Sequence, residues 1–239
     1  MPDRLPYCGE APHPSGWFAH WNFEPIILVA LALLAFGVWQ YRDRLRVKPA
    51  VGALSVATFV FVSPFCAMGS ALFTVRIVHD VILAAALAPL IVAALRMERL
   101  RVASNLVFWT IFHAFTFLLW HAPALYEAAM ISDPVFWAMQ FSITGTAALW
   151  WVKVIRAEAP AAAAALLATM VSMGALGALL TFAQRALYAP HWLTTSIWGL
   201  SPMEDQQIAG IVMWAPASLV YLLVALVILY RALEQKAPA

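Results

Sequence analysis

The stretch TVRIVHDVILAAALAPLIVAAL, residues 74–95, decides the fold class of this chain. An α-helix needs about 20 mainly apolar residues to cross the hydrocarbon core of a bilayer, and this stretch has 22. Three arginines, Arg96, Arg99 and Arg101, follow it at once, and clustered basic residues mark the cytoplasmic end of a membrane span. The stretch therefore predicts a transmembrane helix that runs inward.

The rest of the chain has the same character. Of its 239 residues, 64% are apolar and 11% are charged, whereas a soluble domain has about 45–50% apolar and about 25% charged residues. An ordinary soluble domain is thereby excluded, and so is a disordered chain, because abundant apolar surface favours folding. Apolar runs between charged connectors predict an all-α integral membrane protein with seven transmembrane helices, at residues 25–41, 51–72, 74–95, 104–121, 134–152, 161–182 and 207–230.

Basic residues in the connectors predict the orientation. Eleven of the 14 Lys and Arg residues follow the first, third, fifth or seventh predicted span, so that side is cytoplasmic by the positive-inside rule. The N-terminus is then outside and the C-terminus inside, and the longer connectors at 121–133 and 184–206 face outward. The chain divides into an extracytoplasmic N-terminal segment (1–24), a seven-helix transmembrane domain (25–232) and a cytoplasmic tail (233–239).

Several predicted spans carry polar or soft side chains in their outer halves, although each ionisable group there costs about 2.5–3.5 kcal/mol to insert. At about 1.5 Å of rise per residue, His79, Asp80, Gln140 and Met213 lie roughly 9 Å below the outer surface, and His113 roughly 12 Å. We expect one layer of these groups in the outer leaflet, which forms a binding site if the helices are neighbours.

Arg76 shares a helical face with His79 and Asp80, at spacings of three and four residues. The simplest interpretation is an ion pair between Arg76 and Asp80 near the lipid headgroups, with Arg76 reaching outward. Asp80 has an alternative role, in which its carboxylate orients the imidazole of His79.

Imidazole and thioether groups favour a soft or borderline metal, above all copper. The candidate metal ligands are His79, His113, Met213 and His121, although His113 and His121 lie about 12 Å apart along one helix and cannot chelate the same ion. Each also has an ordinary structural interpretation, since membrane histidines often bond to another helix and buried methionines usually pack. Haem b between His79 and His113 is a less favoured alternative.

Two further groups of residues have mainly structural interpretations. Asp205, Gln206 and Gln207 are expected to cap the last helix or to bond across helices. Cys8 and Cys66 are too few for a metal cluster or a disulfide framework, but one bridge between them is possible if both face an oxidising compartment.

Short motifs are distributed over the whole chain. They are YCG at 7–9, WNFEP at 21–25, His79 followed by APL at 88–90, His113 followed by WHAPALY at 120–126, and WGLSP at 198–202 followed by DQQ at 205–207 and MW at 213–214. Through these motifs the sequence resembles the CtaG-type assembly factors of cytochrome c oxidase, a family of seven-span membrane proteins.

The resemblance implies that the chain helps to mature a haem-copper oxidase at its extracytoplasmic copper centres, as an assembly factor rather than an enzyme, in the bacterial inner (plasma) membrane. Its partners would be membrane lipid and the subunits of cytochrome c oxidase or of another membrane complex, without nucleic acid. Copper would arrive through outer loops that carry His121, His191 and Asp205. The layer containing His79 and His113, with Met213, would then hold it.

Two positions depart from the pattern of the family. Members often have a second histidine where Asp80 stands, and a histidine where Gln140 stands. Fewer imidazoles weaken copper binding, so an alternative stays open: a permanent accessory or structural subunit of a respiratory or photosynthetic membrane complex.

Overall fold

The computed structural model describes residues 6–235, and within that range the chain forms α-helices and no β-strand. Residues 1–5 and 236–239 of the predicted terminal segments lie outside the described residues. The α-helices are α1 (Pro25–Gln40), α2 (Val47–Phe61), α3 (Pro64–Ala71), α4 (Phe73–Ile82), α5 (Ala88–Ala94), α6 (Leu106–Trp120), α7 (Pro123–Ile131), α8 (Asp133–Arg156), α9 (Ala159–Phe182), α10 (Pro202–Val212) and α11 (Ser218–Glu234). Turns of π-helix join α4 to α5 at Leu83–Leu87 and α10 to α11 at Met213–Ala217.

Three continuous helices are long and apolar enough to cross a membrane: Phe73–Ala94, Ala159–Phe182 and Pro202–Glu234. The number rises to five if each of two bent pairs is one span, α2 with α3 (44°) and α6 with α7 (69°). Helix α1 is apolar but has only 16 residues, and α8 is not among these candidates. The all-helical class is confirmed, whereas the count of seven spans and the orientation of the termini stay predictions.

Prolines begin helices at places that the predicted spans did not anticipate. Pro64 and Pro123 each stand in the first turn of a helix, where the missing N–H of proline would have no partner in any case. As a result the predicted span 51–72 is divided into α2 and α3, and the predicted outer connector 121–133 contains α7. The last helix likewise begins earlier than residue 207, because Ser201 and Glu204 form a capping box at its start.

Helices α9 and α10 approach each other closely at two glycines. A Cβ atom added to Gly177 would lie 2.6 Å from the carbonyl oxygen of Gly210, and one added to Gly210 would lie equally close to the carbonyl oxygen of Gly177. Small residues allow membrane helices to pack backbone against backbone in this way. The contact fixes α9 against the helix that carries Asp205 and Gln206.

The N-terminal segment, residues 6–24, is fastened to the helices. Cys8 forms a disulfide with Cys66 of α3, and Tyr7 stacks on Phe136 of α8 with ring centroids 4.8 Å apart. The indole Nε1 of Trp198 also donates to a carbonyl oxygen of this segment, that of Pro12, at 3.1 Å. The segment therefore covers the end of the molecule at which α3 and α4 begin.

Basic residues gather at the other end of α2. Arg46, just before α2, forms an ion pair with Glu98 at 2.6 Å. Near the end of α8, Lys153 Nζ donates to the carbonyl oxygens of Val102 and Ser104, each at 2.6 Å. The connectors that follow α1 and α5 and the last turn of α8 therefore meet in one place.

Candidate functional site

Polar side chains are concentrated in the interior of this apolar protein. Those of the predicted site that are at most 3% exposed are Arg76, His79, Asp80, His113, His121, Gln140, Asp205 and Gln206. Gln207 is half-buried, and Met213 is fully buried in the π-helical turn before α11. Since a buried polar group costs free energy unless it is bonded, each of them requires a structural or a functional explanation.

Arg76 and Asp80 do not form the expected ion pair within the described residues, so that prediction is wrong, whereas the outward direction of Arg76 stays a prediction. The guanidinium is buried, with its Nη2 3.8 Å from Cys8 Sγ and its Cζ 5.2 Å from the centre of the Phe136 ring. Gly69 lies beside it: a Cβ atom at Gly69 would lie 3.4 Å from Arg76 Cζ, in van der Waals contact with the guanidinium. The N-terminal segment, whose position the sequence did not indicate, closes over Arg76.

Asp80 contacts its neighbour His79 instead. Its Oδ1 lies 3.3 Å from His79 Nδ1, which is the orienting arrangement considered above as the alternative role. The imidazole of His79 also packs against two aromatic rings, edge-on to Phe61 at 5.3 Å and stacked with Phe65 at 6.3 Å. The Nε2 atom of His79 is buried and makes no hydrogen bond within the described part of the chain.

His113 is held in the same way by a different helix. Its Nδ1 lies 3.2 Å from Thr146 Oγ1 of α8, and its ring stacks on Trp150 at 5.5 Å. Thr146 already donates its hydroxyl proton to the carbonyl oxygen of Ser142 at 2.7 Å, so at this contact Nδ1 of His113 is the donor. The lone pair of His113 is then on Nε2, which is buried and has no hydrogen-bond partner among the residues that the structure describes.

His121 is the third member of this group. Its Nδ1 donates to the carbonyl oxygen of Phe117 at 2.6 Å, and its Nε2 is buried without a hydrogen-bond partner in the range 6–235. Histidines that bind metals typically donate from one ring nitrogen to a fixed acceptor and coordinate through the other. All three histidines of the predicted metal ligand set therefore have the orientation of a ligand.

The structure does not gather these ligands into one cage. Within residues 6–235, no three His, Cys, Asp or Glu side chains lie close enough together to hold a metal ion. His79 packs among aromatic side chains near the start of α3, whereas His113 faces α8 and α9. Any metal held here would have few protein ligands at a time.

A small cavity adjoins His113. Its volume is about 10 Å³, which is close to the space that one water molecule requires. The residues that line it are His113, Ala114, Phe117, Leu118, Thr169, Ser172 and Met173. Met173 of α9 thus brings a thioether to the cavity beside His113, and sequence reasoning missed it because the order of the helices cannot be read from spans alone.

Asp205 and Gln206 bond across helices. Asp205 accepts from the backbone N–H groups of Phe73 at 2.6 Å and Thr74 at 3.1 Å, so it caps the buried start of α4. Gln206 accepts from the N–H of Leu187 at 2.6 Å and donates to the carbonyl oxygen of Leu180 at 3.2 Å. In contrast, neither polar atom of the Gln140 side chain has a partner within the described residues.

The loop between α9 and α10 contributes a buried histidine rather than an exposed one. Nε2 of His191 lies 2.7 Å from the hydroxyl of Tyr126, and the side chain is 2% exposed. Burial, and secondarily the charge of Arg76, lower the pKa of His191 from 6.5 to about 3. His121 and Asp205 are buried as well, so none of these three side chains is exposed, and the entry of copper through their loops stays a prediction.

The fold and this interior define a class: an all-helical membrane protein with oriented imidazoles buried among its helices. The chain belongs to the cytochrome c oxidase caa3 assembly factor family (Caa3_CtaG), whose family model matches residues 32–235. The matched range contains every predicted metal ligand and leaves the N-terminal segment with Cys8 outside. Comparison with curated proteins and with solved structures finds no match for this chain.

Proposed function

We propose that this protein assists the maturation of a cytochrome c oxidase in a bacterial inner membrane and handles copper as cargo on the extracytoplasmic side, with no turnover of its own. Membership of the caa3 assembly factor family supports the role in assembly. The proposed partners are the subunits of the oxidase and the surrounding lipid.

The two ends of the molecule support the proposed orientation. The Arg46–Glu98 ion pair and Lys153 lie where basic connectors meet, as expected of a cytoplasmic face. Helix α2 then runs 15 residues, about 22 Å, to the end that bears the Cys8–Cys66 disulfide. Disulfides persist in oxidising compartments, which is consistent with an extracytoplasmic N-terminal segment.

The proposal that the protein handles copper rests on the hydrogen bonding of three buried imidazoles. His79, His113 and His121 each have Nδ1 held by a neighbour and Nε2 free in the interior. Imidazole and thioether groups suit Cu(I), which accepts few ligands, and Met173 lines the same cavity as His113. Separate sites of low coordination number would let copper be held briefly and passed on to a client protein.

Copper loading tests this part of the proposal. The purified protein would be loaded with Cu(I) under anaerobic conditions against a chelator of known affinity. We expect the wild type to retain copper and the double variant His79→Ala/His113→Ala to lose most of it. The matched control is His13→Ala/His20→Ala, which removes two exposed histidines of the N-terminal segment. If both double variants retain the same amount of copper, His79 and His113 do not form a copper site.

Complementation tests the role in assembly separately. Deletion of the gene should lower cytochrome c oxidase activity and the copper content of the oxidase, and the wild-type gene should restore both. If the His79→Ala/His113→Ala variant restores both in full, the protein assists assembly without handling copper. If deletion changes neither quantity, the assembly proposal itself fails.

A further inference from the structure

The contact between Arg76 and the Cys8–Cys66 disulfide is not explained by either part of the proposed function. Cys8 is 4% exposed, Cys66 is fully buried and Arg76 is 1% exposed. Nη2 of Arg76 lies 3.8 Å from Cys8 Sγ, and its Nε and Nη1 atoms have no hydrogen-bond partner among residues 6–235. A buried guanidinium is therefore directed at a disulfide sulfur, which is a weak acceptor.

The carboxylates in the same interior are committed elsewhere. Asp80 Oδ1 contacts His79 Nδ1, and both oxygens of Asp205 accept backbone N–H groups of α4. Neither carboxylate lies within 4 Å of the Arg76 guanidinium as an ion pair in the described part of the chain. The face of the Phe136 ring gives some compensation as a cation–π partner, but a buried cation without an adjacent anion is costly.

Reduction of the disulfide would supply the anion that Arg76 lacks. A cationic side chain next to a cysteine stabilises the thiolate relative to the thiol. The guanidinium therefore favours the reduced form of this pair over the disulfide, and a disulfide whose reduced form is stabilised is an oxidant. A purely structural disulfide gains nothing from a buried charge beside one of its sulfurs.

We infer that Cys8–Cys66 is a redox-active thiol–disulfide site that oxidises a dithiol substrate, with Arg76 holding the Cys8 thiolate as a positioning residue. A thiolate of the substrate attacks Cys66 Sγ, the Cys8–Cys66 bond breaks, and its electron pair remains on Cys8 Sγ beside Arg76. The second substrate thiol then attacks the mixed disulfide, loses its proton and releases Cys66, which takes up a proton. The dithiol becomes a disulfide, and the protein holds the Cys8 thiolate and the Cys66 thiol.

Access to Cys66 requires the N-terminal segment to move. Cys8 lies outside any helix, and the segment around it is held by the stacking of Tyr7 on Phe136 and by the Trp198–Pro12 hydrogen bond. Both are non-covalent contacts that can open without unfolding a helix. This site is independent of the buried histidines, so it does not rest on copper handling.

The redox equilibrium of the full-length protein in lipid nanodiscs tests the inference. The protein would be equilibrated with reduced and oxidised glutathione in varied ratio, and free thiols would be counted by alkylation and mass spectrometry. We expect Arg76→Met to lower the equilibrium constant for reduction about tenfold or more, while Arg76→Lys retains most of the wild-type value. Arg46→Met, at the opposite end of α2, is the matched control and should leave the constant unchanged.

Two outcomes would overturn the inference. One is an Arg76→Met variant, folded by its thermal unfolding curve, whose equilibrium constant equals that of the wild type. The other needs no variant: structural disulfides resist reduction by glutathione, so a wild-type pair that stays fully oxidised in an excess of reduced glutathione is a structural bridge. Partial reduction there, together with the Arg76→Met shift, supports the site.

Discussion

What distinguishes the buried histidines His79, His113 and His121 is that one ring nitrogen, Nδ1, contacts a neighbouring oxygen while the other, Nε2, makes no hydrogen bond within the described residues. In His113 the Nδ1–H group donates to the hydroxyl oxygen of Thr146, because that hydroxyl already donates its hydrogen bond to the carbonyl oxygen of Ser142. An imidazole fixed in this way presents a lone pair at Nε2 and has no rotational freedom to lose when a ligand binds. The free energy that orients the ring is provided on folding, so a metal or a proton donor meets a lone pair that is already in position.

Thr146→Val tests the orientation of His113. The variant keeps the shape of the side chain and removes the acceptor of the Nδ1–H group, so we expect a loss of stability of about 1 kcal/mol. If His113 binds copper, the affinity for Cu(I) should fall about 10–100-fold as well. The measurements are thermal unfolding and anaerobic Cu(I) competition.

Thr58→Val is the matched control for that variant, because the hydroxyl of Thr58 is on an exposed position and bonds only to its own helix, at the carbonyl oxygen of Leu54. A copper affinity that drops equally in both variants would show that the effect is not specific to the ring of His113.

His191 predicts a pH dependence of stability. Its pKa is about 3 in the folded protein and near 6.5 when exposed, so between these values the unfolded chain binds a proton that the folded chain does not. The stability that His191 contributes is complete above pH 6.5 and is lost as the pH falls toward 3. We expect His191→Gln to flatten the decline of the unfolding temperature over that interval.

The control for His191→Gln is His13→Gln, since His13 is exposed and its replacement should leave the slope unchanged. Parallel pH profiles for the wild type and His191→Gln would mean that another group governs the acid sensitivity of the protein.

At the scale of the helices, the start of α4 is the point where the interior is most dependent on one distant side chain. Asp205 reaches it from α10 and satisfies the backbone N–H groups of Phe73 and Thr74, which have no partner within their own helix. The same helix carries Arg76, His79 and Asp80, so the cap holds the position of three of the polar groups in the interior.

Asp205→Ala removes this cap. Two buried N–H groups would lose their acceptor, and each unsatisfied donor costs about 1–3 kcal/mol, so we expect a large drop in thermal stability in detergent or nanodiscs. Glu204→Ala is the matched control: it changes the adjacent acidic residue of the same helix, which is exposed, and should have the smaller effect. A Glu204→Ala drop as large as that of Asp205→Ala would show that the loss comes from α10 alone.

Apolar length predicted most of the helices to within a few residues but did not predict where prolines divide or begin them. The stretch 74–95 forms Phe73–Ala94 almost as predicted, because an uninterrupted apolar run in a membrane protein has few alternatives to a helix. The break at Pro64 was missed because apolar residues continue on both sides of the proline, and helix α7 was missed because residues 121–133 were assigned to a connector. A hydropathy average is insensitive to one proline, whereas the hydrogen bonding of the helix backbone is interrupted there.

The sequence indicated which polar residues lie in the interior, but not which residues each of them contacts. His79, His113 and His121 were identified because an imidazole in an apolar span is unusual, and the structure gives all three a buried, free Nε2. The contacts of Arg76 with Cys8 and of Met173 with the cavity beside His113 depend on which helices are neighbours. Spacing along one chain carries no information about that arrangement.

Considered as a whole, the molecule has two unlike ends, and its proposed function needs them on opposite sides of the membrane. Copper and a dithiol substrate are both extracytoplasmic in these proposals, whereas the basic connectors belong in the cytoplasm. Since the N-terminal segment and Lys153 lie at opposite ends of the bundle, both proposals place an odd number of membrane crossings between them. Both proposals therefore require the same orientation, with the N-terminal segment outside.

Site-directed labelling in intact cells answers that question. Cysteines would be introduced singly, as His13→Cys and as Lys153→Cys, and the protein without either substitution would be labelled in parallel to measure any reaction of its own Cys8 and Cys66. A membrane-impermeant maleimide should label His13→Cys in intact cells and Lys153→Cys only after the membrane is opened, because the charged reagent cannot cross the hydrocarbon core. The reverse pattern would place the N-terminal segment in the cytoplasm, where a stable disulfide is not expected, and would contradict both proposals together.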